Sequence, residues 1–188
     1  MTDPYTLPGG VLRNLLGITD PAVLAEAEAD ITRARLIQLG SHPLPGGYDL
    51  AHLRRFHVVI FGDLYPWAGE LRTVDIAKQT PFCPARNLES YAADVFDRLQ
   101  TANTLKGLQR PEFVHAAAAL YADVNALHPF REGNGRAQRA YFAQLGAEAG
   151  WPLSWAGLDP EENREASVRS FLGDNAPLER MLDRLLGP

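Results

Sequence analysis

Apolar residues recur at helical spacing along most of the chain, and this pattern predicts a mostly α-helical fold. The second predicted helix shows the spacing most clearly, because residues 50, 53, 56, 57 and 60 would share one face. Capping side chains or prolines mark helix starts at Asp20-Pro21, Asp49, Asn87, Arg110-Pro111 and Asp159-Pro160. We expect helices over about residues 21–39, 50–60, 87–102, 112–127, 134–150 and 177–186, and a further helix starting at about residue 159.

One segment breaks the helical pattern. After the stretch from Tyr65 to Glu70, residues 71–76 alternate between apolar and polar side chains, and Gln79-Thr80-Pro81 is typical of a turn. These features predict a short β-hairpin over about residues 71–84. Because a single hairpin is not stable alone, it should lie on the helical body, where it could act as a lid or as an edge for a partner strand.

The chain contains no internal repeat and no linker-like segment, so we expect a single domain over residues 1–188. Residues 1–18 are rich in turn formers, including Pro4, Pro8 and the Gly9-Gly10 pair. We predict that they form an extended N-terminal strap.

Charge and cysteine content narrow the function classes. A formal net charge of −5 disfavours a protein that mainly binds the DNA or RNA backbone, because such proteins carry basic patches. Cys83 is the single cysteine, which excludes an intrachain disulfide and fits a reducing compartment. No secretory leader and no apolar run near the roughly 18 residues of a membrane span is found. We therefore expect a soluble, cytoplasmic protein.

The stretch with the most chemistry runs from His128 to Arg139 and reads HPFREGNGRAQR. Because proline follows His128, a helical conformation is disfavoured there, so the fourth helix should end at about Leu127 and His128 should begin the loop. Phe130 is most simply an apolar anchor for the loop. The Gly133-Asn134-Gly135 run lets consecutive N–H groups face one cavity at the start of a helix, where free N–H groups bind phosphate oxygens. The pattern predicts an anion site between two helices.

Four side chains add matching chemistry to this site. Arg136 and Arg139 lie three residues apart, so they should share a helix face and contact outer phosphates. Glu132 offers a hard oxygen ligand for Mg2+, and His128 is a natural base for an attacking hydroxyl. Each residue alone has a simple structural explanation: a turn, a structural histidine or a solvated arginine face. The hypothesis rests on all of them lying within twelve residues.

The same stretch resembles the Fic family motif HxFxxGNGRxxR, in which an acidic residue stands directly before the GNG. It matches this motif at every defined position. The segments Tyr5 to Asp20 and Tyr65 to Arg72 resemble the flanks of bacterial Fic proteins, and the helical layout is similar to the Fic fold. Within the family, the motif resembles the AMP-transferring branch more than the Doc kinase branch, which differs at the second glycine and before the first arginine.

The resemblance implies a protein adenylyltransferase, which moves AMP from ATP to a hydroxyl of a target protein and releases pyrophosphate. It implies that His128 deprotonates the hydroxyl and that Glu132 helps to place Mg2+. Asn134, with the amides of Gly133 and Gly135, would hold the phosphates. Both arginines of the motif, Arg136 and Arg139, would bind the β- and γ-phosphates.

The predicted hairpin corresponds to the flap of the family, which positions the target segment by strand-like pairing. Ile76 and Lys78 are the side chains that the resemblance indicates for this role, although core filling and a solvated charge explain them equally well.

The resemblance also concerns regulation. Many Fic enzymes carry an inhibitory helix with the pattern [ST]xxxE[GN], and neither Glu132 nor Glu162, the two glutamates followed by Gly or Asn, fits that pattern. The chain therefore resembles the toxins of toxin–antitoxin pairs, whose inhibitory glutamate comes from a separate small antitoxin and would engage Arg139. Such toxins modify bacterial type II topoisomerases, such as the gyrase B subunit.

Two other functions remain open at the level of sequence. A Fic-fold transferase could use another donor, such as UTP, GTP or a phosphocholine nucleotide, because the motif reads phosphates and says little about the base. A non-catalytic module could use the same pocket only to bind nucleotide or partner, although the intact His128 and Glu132 argue against it.

Overall fold

The computed structural model describes residues 3–78 and 80–187, and within these ranges the chain folds into seven α-helices. They are α1 (Pro21–Ser41), α2 (Leu50–Phe61), α3 (Leu88–Thr101), α4 (Arg110–Leu127), α5 (Asn134–Ala149), α6 (Pro160–Phe171) and α7 (Ala176–Leu185). Short 3-10 helices span Ala85–Asn87, Asn103–Leu105 and Trp155–Gly157. The mostly helical fold predicted from the sequence is confirmed.

Several of the predicted helix starts are capped as the sequence suggests. The Asp20 carboxylate accepts the N–H groups of Ala22 and Val23, and the Asp49 carboxylate accepts that of His52. Asp159 caps α6 in the same way, because its side chain accepts the N–H of Glu161. Each of these bonds satisfies an N–H group that has no partner within its own helix.

Helix α4 lies at the centre of the fold, packed against α3, α5, α6 and α7, and α2 packs against α1 and α5. The ends of α4 and α5 meet at the motif loop, which we define as residues 128–133. Phe130 is fully buried and anchors this loop in the core, as predicted. By contrast, α1 buries only Leu24 and Thr32 and lies on the outside of the fold.

The segment 71–84, which we call the flap segment, forms no strand in the part of it that the structure describes. It contains one isolated antiparallel bridge, between Ala77 and Pro81, and Gln79 lies outside the described residues. Proline has no N–H to donate to a ladder, which limits pairing at Pro81. The buried Arg72 side chain also donates hydrogen bonds to the carbonyl groups of Val74 and Cys83, which are therefore not available for strand pairing. The predicted β-hairpin is therefore reduced to a turn with a single bridge.

The N-terminal segment also differs from the extended strap that was predicted. The N–H of Leu7 donates to Val11 O over 2.7 Å, and the N–H of Arg13 donates to Tyr5 O over 2.8 Å, so residues 5–13 turn back on themselves. Gly9 and Gly10 make the reversal possible, with φ values of 100° and 85°. None of the helices in the described ranges has the length and apolar character that crossing a membrane would need.

Candidate active site

Two adjoining cavities flank the motif loop. The first, of about 790 Å³, is lined by the flap segment and the motif loop, including Ile76, Lys78, Glu132 and all of Gly133-Asn134-Gly135. The second, of about 480 Å³, is lined by α4, α5 and α6 and contains Arg139. The residues that border both cavities are Lys78, Phe82, His128 and Gly135. Most of the residues predicted from the sequence therefore share one continuous site.

His128 stands where the two cavities meet. It ends α4 in the left-handed conformation, with φ 42° and ψ 61°, and its N–H still donates to Val124 O over 3.1 Å. Its Nδ1 lies 3.2 Å from Asn125 O, and because a carbonyl oxygen can only accept, Nδ1 carries the hydrogen. The lone pair is thus on Nε2. The imidazole stacks on the Phe82 ring at a centroid distance of 3.8 Å.

The His128 imidazole is held in its neutral form. Burial, and then the positive charges of Lys78 and Arg72, lower the pKa of His128 to about 3, although the hydrogen bond to Asn125 acts in the opposite direction. The neutral form leaves the Nε2 lone pair free to accept a proton, and the negative charge of a bound polyphosphate would raise the pKa of His128 towards the range in which a general base works.

The start of α5 presents free backbone donors to the site. In the described part of the chain, the N–H groups of Asn134 and Gly135 have no hydrogen-bond partner, whereas Arg136 N–H donates to Gly133 O over 3.1 Å. Gly133 precedes the helix with φ 79°, and a Cβ there would clash with the Phe61 ring. Only glycine fits this position, and it places the positive end of the α5 dipole at the cavity.

Asn134 is occupied by the motif loop itself. Its Oδ1 accepts the N–H of Phe130 over 2.8 Å, and its Nδ2 donates to Phe130 O over 2.7 Å. The side chain is buried, so these two bonds lock the loop against the first turn of α5. The geometry favours a loop-holding role for Asn134, and its direct contact with phosphates stays a prediction.

Glu132 supplies one carboxylate to the first cavity. Its Oε1 accepts the N–H of Gly133 over 2.8 Å and lies 3.7 Å from an Arg136 nitrogen, and 43% of the side chain is exposed. No group of three His, Cys, Asp or Glu side chains in the described ranges could hold a metal ion by itself. A single carboxylate does fit Mg2+, which takes one or two protein carboxylates and completes its shell with phosphates and water.

The two arginines of the motif differ in their contacts, although both also line a cavity beside α1. Arg136 pairs with Glu28 of α1 at 2.5 Å, donates to the Thr32 hydroxyl over 3.3 Å and lies over the Phe61 ring. Arg139 lines the second cavity, and it pairs with no carboxylate in the ranges 3–78 and 80–187. The site thus brings Arg139 together with His128, whereas Arg136 is directed towards α1.

His57 is a site residue that the sequence pattern did not reveal. It is fully buried in α2, its Nε2 donates to Glu132 O over 2.9 Å, and its Nδ1 accepts the N–H of Gly69 over 2.9 Å. Burial lowers the pKa of His57 to about 4, so the ring is neutral and its tautomer is fixed. Its position among apolar residues at helical spacing indicated only a core residue.

The N-terminal segment reaches the first cavity as well. Arg131 of the motif loop donates from Nε to Asp3 Oδ2 over 2.8 Å, and Asp3 lines the cavity. The N–H of Thr73 donates to the Tyr5 hydroxyl over 3.0 Å. The segment therefore contacts both the motif loop and the flap segment, which no sequence pattern indicated.

Comparisons with known sequences identify the family of the chain. The sequence model of the Fic/DOC family matches residues 47–145. The chain is 40% identical to protein adenylyltransferase VbhT of Bartonella schoenbuchensis, over 98% of its own length and 39% of that protein. It is 38% identical to the Probable protein adenylyltransferase Fic of Escherichia coli, over 98% of its own length and 92% of that protein.

Comparison with solved structures also indicates a Fic fold. BepC, an effector protein of Bartonella tribocorum solved with bound AMPPNP, superposes with a TM-score of 0.92 at 25% identity, over 98% of this chain and 97% of that one. Sequence, fold and motif agree over nearly the whole length, and the chain is a member of the Fic/DOC family.

Proposed function

We propose that this chain is a protein adenylyltransferase, which transfers AMP from ATP to a hydroxyl side chain of a target protein. The observation that carries the proposal is the neutral His128 imidazole, which borders the same cavity as the free N–H groups at the start of α5. A base and an anion site side by side suit attack on a phosphate. Relatives named protein adenylyltransferases and a similar fold solved with AMPPNP support it.

In the proposed reaction, the target hydroxyl attacks the α-phosphorus of ATP. The bond from the hydroxyl oxygen to the α-phosphorus forms, the bond from the α-phosphorus to the bridging oxygen breaks, and pyrophosphate leaves with the electron pair. The hydroxyl proton passes to Nε2 of His128. Donors at the start of α5, the N–H groups of Asn134 and Gly135, bind phosphate oxygens, and Arg139 neutralises the outer phosphates.

Glu132 would be the protein ligand of Mg2+, which when bound neutralises phosphate charge. We assign Arg136 to the outer phosphates together with Arg139. Its guanidinium pairs with Glu28 and lies 3.7 Å from the Glu132 carboxylate. Ile76 and Lys78 line the first cavity, and we assign them to positioning the target segment along the flap segment.

The regulatory part of the proposal is that a small antitoxin inhibits the chain, with a glutamate that pairs with Arg139. Two observations support it. The 188-residue sequence contains no [ST]xxxE[GN] pattern, and Arg139 has no carboxylate partner in the part of the chain that the structure describes. On this proposal the chain acts in the cytoplasm as a single Fic domain over residues 1–188 and is a toxin, with type II topoisomerase subunits such as gyrase B as candidate targets.

The test uses the purified chain with Mg2+, bacterial lysate and ATP labelled at either the α- or the γ-phosphate. We expect a protein band labelled only from the α-position, lost in His128→Ala and kept in His42→Ala, which changes an exposed histidine. Label only from the γ-position would mean a kinase. Parallel reactions contain UTP or GTP labelled at the α-phosphate. Label only in these reactions would mean another donor, and no label in any reaction would favour a binding module.

A further inference from the structure

Arg72 is the largest fully buried side chain of the described residues, and each of its three side-chain nitrogens donates to at least one backbone carbonyl group. Its Nε donates to His128 O over 2.9 Å and its Nη1 to Val74 O over 2.8 Å. Its Nη2 donates to Cys83 O and, over 3.4 Å, to Leu127 O. The guanidinium therefore joins the C-terminal end of α4 to both arms of the flap segment.

Among the described residues, the buried charge of Arg72 has no close carboxylate. Asp75 is the nearest, at 4.0 Å, and 75% of its side chain is exposed to solvent. A buried charge is costly, and an arginine cannot avoid that by losing its proton. The negative end of the α4 dipole, at the carbonyl groups of Leu127 and His128, offsets part of the cost. An apolar side chain would fill the same space without this penalty, so packing alone does not explain the arginine.

The contacts of Arg72 act on the conformation of His128. His128 has φ 42°, a left-handed conformation that is strained for a residue other than glycine and persists only where its surroundings hold it. The Arg72 side chain holds the His128 carbonyl, and the Arg72 N–H donates to Pro129 O over 2.9 Å. Two consecutive peptide groups of the motif loop are thus fixed from one residue.

The same side chain sets the flap segment against His128. Phe82, which stacks on the His128 ring with an interplanar angle of 10°, directly precedes Cys83, whose carbonyl Arg72 binds. On the other arm, Arg72 binds the carbonyl of Val74, two residues before Ile76. One guanidinium therefore sets the positions of both the His128 imidazole and the flap segment.

We infer that Arg72 is a positioning residue for AMP transfer: it holds His128 and the flap segment in one fixed arrangement, so that the base meets the target hydroxyl at the α-phosphate. The inference rests on the proposed role of His128 as the base. It predicts a loss in the chemical step, with ATP binding at the start of α5 largely kept.

The first test is Arg72→Lys, which keeps the charge but offers three donors from one nitrogen in place of a planar fork. We expect kcat for AMP transfer to fall about 100-fold or more, as a misplacement of about 1 Å can cause. The KM for ATP should change by less than about fivefold. Arg33→Lys, on the exposed surface of α1, is the matched control and should keep full activity. Unchanged kcat in a folded Arg72→Lys would overturn the inference.

A second measurement separates the inference from the proposed function. The 15N chemical shifts of histidine report the tautomer and environment of His128 with no need for turnover. If the wild-type chain transfers no AMP but Arg72→Lys still shifts the His128 signals, the proposed function fails and the positioning contact stands. If those signals are the same in both proteins, Arg72 does not position His128.

A third measurement uses the wild-type chain, so it tests the contacts of Arg72 even if Arg72→Lys does not fold. The Nε–H of Arg72 should be protected from solvent exchange about as strongly as the Arg72 backbone N–H, because a separation of Arg72 from the motif loop would break both the bond to His128 O and the bond to Pro129 O. Exchange of the Nε–H at the rate of surface arginines would contradict the arrangement and overturn the inference.

Discussion

At the scale of single residues, His57 connects the core to Glu132. Its two ring nitrogens have different partners, the carbonyl of Glu132 and the N–H of Gly69, and its ring contacts the Phe130 ring in a tilted arrangement, at a centroid distance of 3.9 Å. The backbone position of the carboxylate that would hold Mg2+ is therefore set by a buried side chain of α2. Residues that orient a metal ligand commonly affect metal affinity or activity.

Two amide substitutions separate the two bonds of His57. His57→Gln can place an amide donor near the former Nε2 and keep the bond to Glu132, whereas His57→Asn can replace only the Nδ1 acceptor. We expect His57→Asn to require more Mg2+ and to transfer AMP roughly 10-fold or more slowly than His57→Gln, at the lower end of outer-shell effects. A Mg2+ titration of AMP transfer measures both. Equal losses in the two variants would mean that the bond to Glu132 does not matter.

Gly133 offers a second residue-scale prediction, because its φ of 79° and the adjacent Phe61 ring both exclude a side chain. Gly150 also has a left-handed φ, of 90°, but nothing lies within 4 Å of the point that a Cβ would occupy. Gly150→Ala should lower the free energy of unfolding by about 1 kcal/mol, and Gly133→Ala by roughly 2 kcal/mol more because of the clash. Urea denaturation of both variants checks this. Similar losses would show that the Phe61 ring moves aside freely.

At this scale, the sequence could predict contacts between residues that lie close together in the chain, but not contacts between distant ones. The chemistry of the motif loop is local, and the structure brings His128, Glu132 and the glycines to one cavity as expected from their spacing. The partner of Arg136 could not be predicted, because Glu28 lies 108 residues away and has no distinctive neighbours in sequence. Arg72 ends a segment that resembles a flank of bacterial Fic proteins, but nothing in the sequence indicates the roles of Arg72 and His57, because their partners include carbonyl groups that any residue could supply.

At the scale of elements, one polar cluster joins α1 to α5. The Glu28 carboxylate pairs with Arg136 and also accepts a hydrogen bond from the Tyr65 hydroxyl. This polar contact adds to the packing of Ile31, Leu36 and Leu39 against the core in holding α1 beside the active site. It also balances a positive charge that would otherwise face the phosphates.

Glu28→Gln tests this cluster. We expect the free energy of unfolding to fall by about 2 kcal/mol, the value of a hydrogen bond to a charged group. ATP should bind about fivefold more tightly, as expected for one released charge worth about 1 kcal/mol. Glu26→Gln, exposed on the same helix, is the control for both measurements. Weaker ATP binding in Glu28→Gln would show that Glu28 holds Arg136 where the nucleotide needs it.

The flap segment shows why element prediction failed where it did. Its alternating pattern is a local signal for a strand, and the turn around residues 77–81 does form one bridge. The pattern could not show that the Arg72 side chain would bind the carbonyl groups that a ladder needs. Helix starts were predicted well for the opposite reason, because a cap and its N–H partner lie within three residues of each other.

At the scale of the whole molecule, buried histidines couple stability to pH. Burial lowers the pKa of His57 to about 4 and of His128 to about 3, and it also lowers the pKa of His52. Between pH about 6.5 and about 4 the unfolded chain binds protons at these positions and the folded chain does not. The stability they contribute is therefore complete above pH about 6.5 and is lost as the pH falls.

We predict that the free energy of unfolding decreases steadily from pH 7 to pH 4. One pKa unit corresponds to about 1.4 kcal/mol, so His57 and His128 should each account for roughly 3 kcal/mol of the decrease. Urea denaturation at several pH values measures the slope, and His57→Gln should reduce it whatever its effect at pH 7. A free energy that stays constant over this range would show that the histidines open to solvent.

The ion pair between Asp3 and Arg131 has a practical consequence for handling the protein. Because Asp3 forms part of the wall of the first cavity, a polypeptide fused to the N-terminal end would be attached close to the cavity in which we propose that the target segment binds. An affinity tag at that end would compete with the target, and the resulting loss of activity could be mistaken for an inactive enzyme. Helix α7 contributes no residue to either cavity, so a tag placed after it leaves the entrance open.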